Sequence, residues 1–222
     1  MNIFENGIPP WKDLRSIEDA DSSTNQEEMI PLNDLFETKP NPNMKIYTGS
    51  KIFVRKGVIE RLKVASKQLK PLSLTFLVIY GYRHPKIQES RFLEILGGLR
   101  SKNKNMSEED LYSLAHNFVA VPEVAGHPTG GAVDLTLLDK EGHELDMGTE
   151  ISDFSDSEKI TTFSTQTTKL QYQNRLYLRV AMMESGFVPF NGEWWHFSYG
   201  EKEWAFWNGA RKSKYNQIFF TI

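Results

Sequence analysis

The pattern of apolar and polar positions predicts a chain of helices and short strands. Residues 55–69 and 169–185 carry apolar side chains at helical spacing with polar residues between them, which is typical of helices that bury one face. Other segments are short apolar runs rich in β-forming residues, and these predict buried strands. The predicted helices cover 55–69, 87–99, 107–117 and 169–185, and the predicted strands cover 74–80, 132–138, 187–190 and 194–199.

The segments between these elements carry turn and loop signals. Asn191-Gly192 predicts a type I′ turn between the last two strands, and residues 140–143 predict a turn into a further short strand. Residues 148–168 are polar and long for a connection, which predicts a functional loop. The final residues, 216–222, are expected to add an edge strand.

The N-terminal segment differs from the rest of the chain in composition. Residues 1–45 are polar and contain prolines at positions 9, 10, 31, 40 and 42. Such a segment cannot continue a regular helix or a central strand for long. We therefore expect 1–45 to form an extended arm that packs on a domain formed by 46–222.

Composition and charge exclude several classes of protein. With 222 residues, 39% of them hydrophobic and 25% charged, the chain has the make-up of a folded domain and not of a disordered protein. A net charge of -3 gives no electrostatic signature of nucleic-acid binding, so no nucleic-acid partner is expected. We see neither a signal peptide at the N-terminus nor an apolar run long enough to span a membrane. We therefore expect a cytoplasmic protein.

The candidate chemistry lies in two short segments. The chain has no cysteine, so a zinc site would need histidine and carboxylate ligands. His127 and Asp134 lie in the first segment, and Glu193 and His196 lie among aromatic residues in the second. Two histidines, one aspartate and one glutamate are sufficient for three metal ligands and a general base.

The spacing of His127 and Asp134 is compatible with a shared metal ion. The two residues are seven positions apart, which excludes the helical HExxH signature. Gly130 and Gly131 allow the loop that carries His127 to fold back toward the strand that carries Asp134. An aspartate inside an apolar strand needs a partner. On spacing alone, a metal ion and the alternatives, an arginine partner or contact with water, are evenly balanced.

Glu193 and His196 reach one site only if the chain turns between them. Residues three apart in a regular strand point to opposite faces, so the backbone must turn near Trp194. Glu193 would then lie beside a metal-bound water as its general base. The alternative is a hairpin with the tryptophans in the core and Glu193 on its surface. For this segment taken alone, that alternative is favoured.

Arg83 is a further candidate because it follows the predicted strand 74–80. A guanidinium at a strand end can bind a developing oxyanion, and it is always charged. A structural ion pair explains Arg83 equally well. His116, inside a predicted helix, and His143, in a predicted turn, are interpreted as structural or exposed.

Together the two segments resemble the D-alanyl-D-alanine dipeptidase family of zinc peptidases, which includes the vancomycin-resistance dipeptidases. The resemblance extends from Tyr47 to Trp207. The residues that carry it are His127-x-x-Gly130-x-Ala132-x-Asp134 and Glu193-x-Trp195-His196, with Gly81-Tyr82-Arg83, Leu145 to Thr149 and Gly186-Phe187 in the same order as in the family.

The resemblance implies a role for each candidate residue. His127, Asp134 and His196 would bind one zinc ion per chain. Glu193 would activate water and pass the proton to the leaving amine. Arg83 would stabilise the tetrahedral oxyanion.

The resemblance is weaker around the substrate's N-terminus. Asp153, in the predicted functional loop, would match the acid that receives the substrate's ammonium group. The family usually has serine where this chain has Ala125, and commonly aspartate where it has Tyr80. Both departures bear on how strictly a free dipeptide is required.

We therefore predict a single α+β domain in which a mainly antiparallel central sheet carries the zinc site and helices pack outside. The resemblance implies zinc-dependent hydrolysis of D-alanyl-D-alanine in the turnover or recycling of cell-wall precursor. The alternatives are a D,D- or L,D-carboxypeptidase that trims peptidoglycan peptides and a non-catalytic, metal-containing binding module. The partner would be a small peptide ending in D-alanine, and the sequence leaves the oligomeric state open.

Overall fold

The computed structural model describes residues 7–23, 25–42 and 45–222. The helices are α1 (Trp11–Ser16), α2 (Lys45–Thr48), α3 (Lys56–Leu69), α4 (Pro85–Lys102), α5 (Glu108–His116), α6 (Lys169–Glu184) and α7 (Lys202–Trp207). The strands are β1 (Met29–Pro31), β2 (Glu37–Thr38), β3 (Phe53–Arg55), β4 (Thr75–Tyr80), β5 (Ala132–Leu138), β6 (Val188–Pro189) and β7 (His196–Ser198). Short 3-10 helices cover Lys70–Leu72, Pro122–Val124 and His127–Thr129.

A five-stranded sheet in the order β2-β4-β5-β7-β6 forms the centre of the fold. The pairing of β2 with β4 is parallel, and the pairings of β4 with β5, β5 with β7 and β6 with β7 are antiparallel. A separate antiparallel pair joins β1 and β3. The predicted α+β domain with a mainly antiparallel central sheet is confirmed.

Side-chain alternation along the central strands separates the apolar core from the candidate site. Successive strand residues point to opposite faces of a sheet. On β5, Val133 and Leu135 belong to the main apolar cluster, which also contains the buried faces of α3 and α6. Phe197 on β7 belongs to the same cluster. Asp134 and His196 therefore share the opposite face of the sheet.

A smaller apolar cluster joins α1, α4 and α5 to the 3-10 helix Pro122–Val124. Its buried members are Leu14, Phe92, Leu96, Leu111, Ala115, Val121 and Val124. Leu14 and Val124 also line a cavity whose other wall contains Asp134 and His196. The second cluster thus covers the face of the sheet on which the candidate ligands lie.

The long predicted elements are confirmed with small changes at their ends. The predicted helix 169–185 is α6, and its first turn closes with a capping box between Thr168 and Gln171. Ser107 caps α5, as expected, by accepting a hydrogen bond from the Asp110 amide at 3.2 Å. The predicted strands 74–80 and 132–138 are β4 and β5.

Three local predictions are wrong. The connection between β6 and β7 spans residues 190–195 and is not a two-residue type I′ turn. The segment after the turn at 140–143 forms only a single bridge, between Leu138 and Glu144, in place of a second strand. Residues 216–222 do not form an edge strand. In addition, α7 was not predicted.

The predicted N-terminal arm, 1–45, contributes to the fold within its described part. It contains α1, and its strands β1 and β2 pair with β3 and β4 of the predicted domain 46–222. Residues 1–6, 24, 43 and 44 lie outside the described residues. The division into an arm and a domain stays a prediction. None of the described helices is both long enough and apolar enough to cross a membrane.

Candidate metal centre and active-site cavity

Two neighbouring strands and one loop bring the candidate metal ligands together. Asp134 on β5 lies directly opposite His196 on β7 in the antiparallel register. His196 Nδ1 lies 2.9 Å from Asp134 Oδ1, and His127 Nε2 lies 3.3 Å from Asp134 Oδ2. One potential ligand atom from each residue lies within 4.8 Å of the other two.

The loop that carries His127 needs glycine at two positions. His127–Thr129 forms a 3-10 turn, and Gly130, which ends it, has a φ of 75°, a region that favours glycine. A Cβ atom at Gly131 would lie 2.4 Å from the Tyr199 carbonyl oxygen, because β5 and the end of β7 approach closely there. The glycine pair thus lets the loop return to the sheet, as the sequence indicates.

The three side chains fit a zinc ion. His127 Nδ1 lies 2.7 Å from the Gly81 carbonyl oxygen, so Nδ1 carries the proton and the Nε2 lone pair faces Asp134. A backbone carbonyl that orients the second ring nitrogen is a common feature of zinc-binding histidines. His127 and Asp134 are buried, and the His196 side chain is 12% exposed. Two histidines with one carboxylate are a donor set of catalytic zinc sites.

Glu193 reaches the same point because the chain turns between β6 and β7. The His196 amide donates to the Glu193 carbonyl at 3.2 Å, which closes a turn over Trp194 and Trp195. The Thr162 hydroxyl donates to the Glu193 carbonyl at 3.1 Å and so fixes this turn. Glu193 Oε2 lies 4.0 Å from His196 Nδ1. The turn expected near Trp194 is confirmed, and Glu193 does not lie on a hairpin surface.

Burial and close contacts shift the pKa values in this cluster. Burial and the charge of Asp134 raise the pKa of Glu193 to about 7. Burial lowers the pKa of His127 to about 4. Burial also opposes protonation of His196, but the hydrogen bond and charge of Asp134 raise its pKa to about 9. Burial alone would raise the pKa of Asp134. The charges and hydrogen bonds of His127 and His196 have a larger, opposite effect and hold this pKa far below its usual range. Asp134 is therefore the anionic centre of the cluster.

Arg83 follows β4 and is held in place from two sides. Its Nη1 donates to Gln88 Oε1 at 2.8 Å, and Gln88 Nε2 donates to the Ala120 carbonyl at 2.8 Å. The guanidinium carbon lies 4.4 Å from the centre of the Tyr80 ring. Within the described part of the chain, no carboxylate forms an ion pair with Arg83. The guanidinium is positioned by neutral groups and keeps its charge available to a ligand.

A single cavity joins these groups. All five predicted residues Arg83, His127, Asp134, Glu193 and His196 line it.

Sequence reasoning left other polar residues of this cavity unassigned. Gln88 and Arg91 line it one helical turn apart on α4, and Glu203 lines it from α7. Helical spacing downstream of Arg83 indicates that Gln88 and Arg91 share one face of a helix, but not that this face meets the cavity. Glu203 had no comparable signal because its helix was not predicted.

Asp153 does not line this cavity. Its carboxylate accepts a hydrogen bond from the Ser155 amide at 3.0 Å, and it lines a separate pocket. Its neighbours Ser152 and Phe154 line the active-site cavity. Ala125, at the position where the family usually has serine, also lines the cavity and is 3% exposed. The ammonium-binding role of Asp153 stays a prediction.

Comparison with known proteins agrees with the geometry. A family model described as D-ala-D-ala dipeptidase matches residues 36–221. The chain belongs to the D-ala-D-ala dipeptidase family. It is thus a zinc metallopeptidase, as the two sequence segments predicted, and the His127, Asp134 and His196 cluster is its candidate zinc site.

Individual members of the D-ala-D-ala dipeptidase family match over most of their length. The chain is 32% identical over 223 residues to a D-alanyl-D-alanine dipeptidase of Synechocystis sp., an alignment that covers 87% of this chain and 90% of that protein. It is 29% identical over 162 residues to a D-alanyl-D-alanine dipeptidase of Enterococcus faecalis, covering 68% and 75%. A solved structure, VanYB in complex with D-alanine-D-alanine, aligns with a TM-score of 0.46 and 14% identity over 90% of this chain and 94% of that one.

Proposed function

We propose that this protein hydrolyses D-alanyl-D-alanine to two D-alanines, with zinc held by His127, Asp134 and His196. The observation that carries the proposal is the convergence of these three side chains with Glu193 in one cavity. The family match and the curated dipeptidases among the relatives support the same reaction. A binding module would need the three ligands but would have no use for Glu193 and Arg83 beside them.

The chain's own contacts prepare the ligand set. The Gly81 carbonyl holds the His127 ring so that Nε2 faces Asp134, and the β5–β7 register places His196 across from the same carboxylate. His127, Asp134 and His196 would hold the zinc ion, which would lower the pKa of a coordinated water and polarise the scissile carbonyl. Because these contacts already orient the three side chains, little rearrangement of the protein is needed for them to bind one metal ion.

We assign the general-base role to Glu193. Its carboxylate borders the ligand cluster, 4.0 Å from His196 Nδ1, and the turn at residues 193–196 fixes that position. It takes a proton from the attacking water and delivers it to the amine of the departing D-alanine. The Glu193 side chain lines the cavity and is 15% exposed, so its carboxylate is largely shielded from solvent.

We assign stabilisation of the oxyanion to Arg83. Its guanidinium lines the same cavity and is oriented by Gln88 and Tyr80. Arg83 Nε is buried and has no hydrogen-bond partner among the described residues. A charged donor without a protein partner can bind the negative charge that develops on the carbonyl oxygen.

A longer substrate is the second candidate, because two residues expected to bind the ammonium group of a free dipeptide, at positions 125 and 153, do not provide a polar group in the cavity. Ala125 has no hydroxyl, and Asp153 lies in a separate pocket. A peptide whose N-terminal side continues as an amide needs no such partner. The second candidate is therefore a D,D- or L,D-carboxypeptidase that trims peptidoglycan peptides with the same residues in the same roles.

Substrates that differ only at the N-terminal side separate the two candidates. The zinc-loaded protein is given D-alanyl-D-alanine, its N-acetylated form and a peptidoglycan peptide ending in D-alanyl-D-alanine, and D-alanine release is followed by mass spectrometry. We expect release from the free dipeptide, and rates at least about tenfold lower from the acetylated form. Release mainly from the acylated substrates would establish the carboxypeptidase. Absence of release from all three, at full zinc occupancy, would contradict peptide hydrolysis altogether.

A further inference from the structure

A second guanidinium lies in the active-site cavity and has no role in the reaction described so far. Arg91 is one helical turn beyond Gln88 on α4, so the two side chains share the face of the helix that meets the cavity. Arg91 is half-buried. Burial lowers its pKa, and the charge of Arg83, which lines the same cavity, lowers it further.

The two arginines are not paired with protein carboxylates among the described residues. Among the described residues, no carboxylate forms an ion pair with Arg83 or Arg91, and Arg91 makes no side-chain hydrogen bond. The negative charges of Glu193 and Asp134 raise the pKa of Arg91, but neither carboxylate forms an ion pair with it. Holding two like charges together in a partly buried site costs free energy unless an anion binds there. The pair therefore has the properties of a site for a ligand's negative charge.

The proposed substrate carries two groups that such a pair can bind. In a peptide ending in D-alanine, the scissile carbonyl and the terminal carboxylate are separated by a single residue. Arg83, positioned by Gln88 and Tyr80, is assigned to the oxygen of the scissile carbonyl. A planar guanidinium binds a carboxylate through two parallel hydrogen bonds, which gives both energy and orientation.

We propose that Arg91 binds the C-terminal carboxylate of the substrate and so restricts the enzyme to the last peptide bond of a chain. This inference rests on the proposed hydrolysis, but it holds for the free dipeptide and for longer peptides alike, because both end in the same carboxylate. It makes Arg91 a residue of substrate specificity, distinct from the groups that carry the proton and the oxyanion. Peptides with a blocked C-terminus are then poor substrates.

The test compares a free acid with its amide. Wild type, Arg91→Gln and Arg91→Lys are assayed with D-alanyl-D-alanine and with D-alanyl-D-alanine amide. In Arg91→Gln we expect the KM for the acid to rise about 10- to 100-fold, the loss of one charge-assisted contact, while kcat/KM for the amide changes less than about twofold. Arg91→Lys should recover part of the preference for the acid. Persistence of the full preference in Arg91→Gln would overturn the assignment.

Binding without turnover provides an independent readout. In the Glu193→Gln background, calorimetry measures the affinity for the acid and the amide with and without Arg91→Gln. We expect the acid to lose affinity and the amide to keep it; equal losses for both would indicate a structural role and refute the proposal. Arg100→Gln is the matched control, because Arg100 lies on the same helix in an exposed pair with Glu108. Lack of hydrolysis in wild type would count against the proposed function, and the calorimetric comparison would still decide the role of Arg91.

Discussion

Asp134 is the residue on which the candidate metal centre depends. Each of its two carboxylate oxygens contacts a different histidine, Oδ1 with His196 and Oδ2 with His127. The sequence shows an acid inside a seven-residue strand, and every residue of that strand is buried. Sequence spacing left metal and arginine partners evenly balanced; the structure supplies two histidines, a pattern that suits a cation shared among all three.

The assignment of the zinc ligands can be tested by replacing one ligand histidine and, as a control, one histidine outside the cluster. His196→Ala should lose most of its zinc and all measurable activity, because two ligands cannot hold the ion as three do. Metal content is measured by mass spectrometry after gel filtration. His143→Ala is the control, since that side chain is 78% exposed and outside the cluster, and it should keep about one equivalent. Full zinc occupancy in His196→Ala would remove His196 from the ligand set.

The residues that could be predicted are those fixed by short-range spacing. His127, Asp134, Glu193, His196 and Arg83 each lie in a recognisable segment, and the structure brings all five to one cavity. Arg91 could not be assigned, because the face of α4 that meets the cavity is decided by packing against α5 and the 3-10 helix before the His127 loop. That packing depends on contacts distant in sequence, which periodicity does not report.

The connection between β6 and β7 shows why turn chemistry alone misplaced an element. Asn191-Gly192 is a strong type I′ signal, but the chain places Trp194 and Trp195 in the core, at 3% and 1% exposure. The Trp194 amide donates to the Ile160 carbonyl at 3.0 Å, and its indole donates to Thr149. The free energy gained by burying the two tryptophans outweighs the preference of Asn191-Gly192 for a two-residue turn, so the connection is longer. The same connection places Glu193 in the cavity.

At the element scale, the junction of the His127 loop with β5 depends on Gly131. Gly131→Ala places a methyl group 2.4 Å from a backbone oxygen, and we expect it to lower the free energy of unfolding by about 2 kcal/mol or more. Gly97→Ala is the control, because Gly97 lies inside α4 with open space around it and should gain up to about 1 kcal/mol. Urea denaturation measures both. Equal stability of the two variants would contradict the close approach.

His116 couples the end of α5 to the N-terminal arm and should do so in a pH-dependent way. The Val121 amide donates to His116 Nδ1, and Nε2 lies 3.2 Å from the Pro9 carbonyl, so the neutral ring satisfies both neighbours. Burial lowers its pKa to about 4. Below the unfolded pKa, about 6.5, the unfolded state takes up the proton first, so stability falls as the pH falls toward 4.

We expect the stability of His116→Gln to depend less on pH than that of wild type, since glutamine retains one donor and one acceptor but does not titrate. Between pH 7 and pH 5 the wild type should lose about 2 kcal/mol more stability than the variant, measured by urea denaturation at both pH values. His143→Gln, which changes an exposed histidine, should follow the wild-type profile. A His116→Gln profile parallel to wild type would show that His116 does not titrate on unfolding.

At the scale of the whole molecule, Arg55 joins segments that are far apart in sequence. This side chain is 2% exposed and donates to the carbonyls of Asn25, Glu27, Thr129 and Asn216. It therefore ties the predicted arm and the C-terminal segment to the loop that carries His127. The same long-range ties explain why 216–222 is not an edge strand: the Tyr82 hydroxyl donates to the Ile218 carbonyl and accepts from the Phe220 amide.

Arg55→Lys should weaken these connections, because an ammonium group cannot reproduce the planar fork of five donors. We expect a loss of about 2 to 4 kcal/mol in the free energy of unfolding, since several buried carbonyls lose their partner. Thermal and urea denaturation are the measurements. Arg100→Lys, in an exposed pair with Glu108, is the matched control and should change stability by less than about 0.5 kcal/mol. Similar effects of the two substitutions would argue against Arg55 as a structural centre.

The most direct test of the account is the rate of D-alanine release by Glu193→Gln beside its zinc content. The substitution keeps the shape of the side chain and removes its ability to take a proton, so the variant should hold as much zinc as wild type and release D-alanine from D-alanyl-D-alanine at least about a hundredfold more slowly. Unchanged release at equal zinc content would contradict the assignment of Glu193 and, with it, the proposed reaction centre.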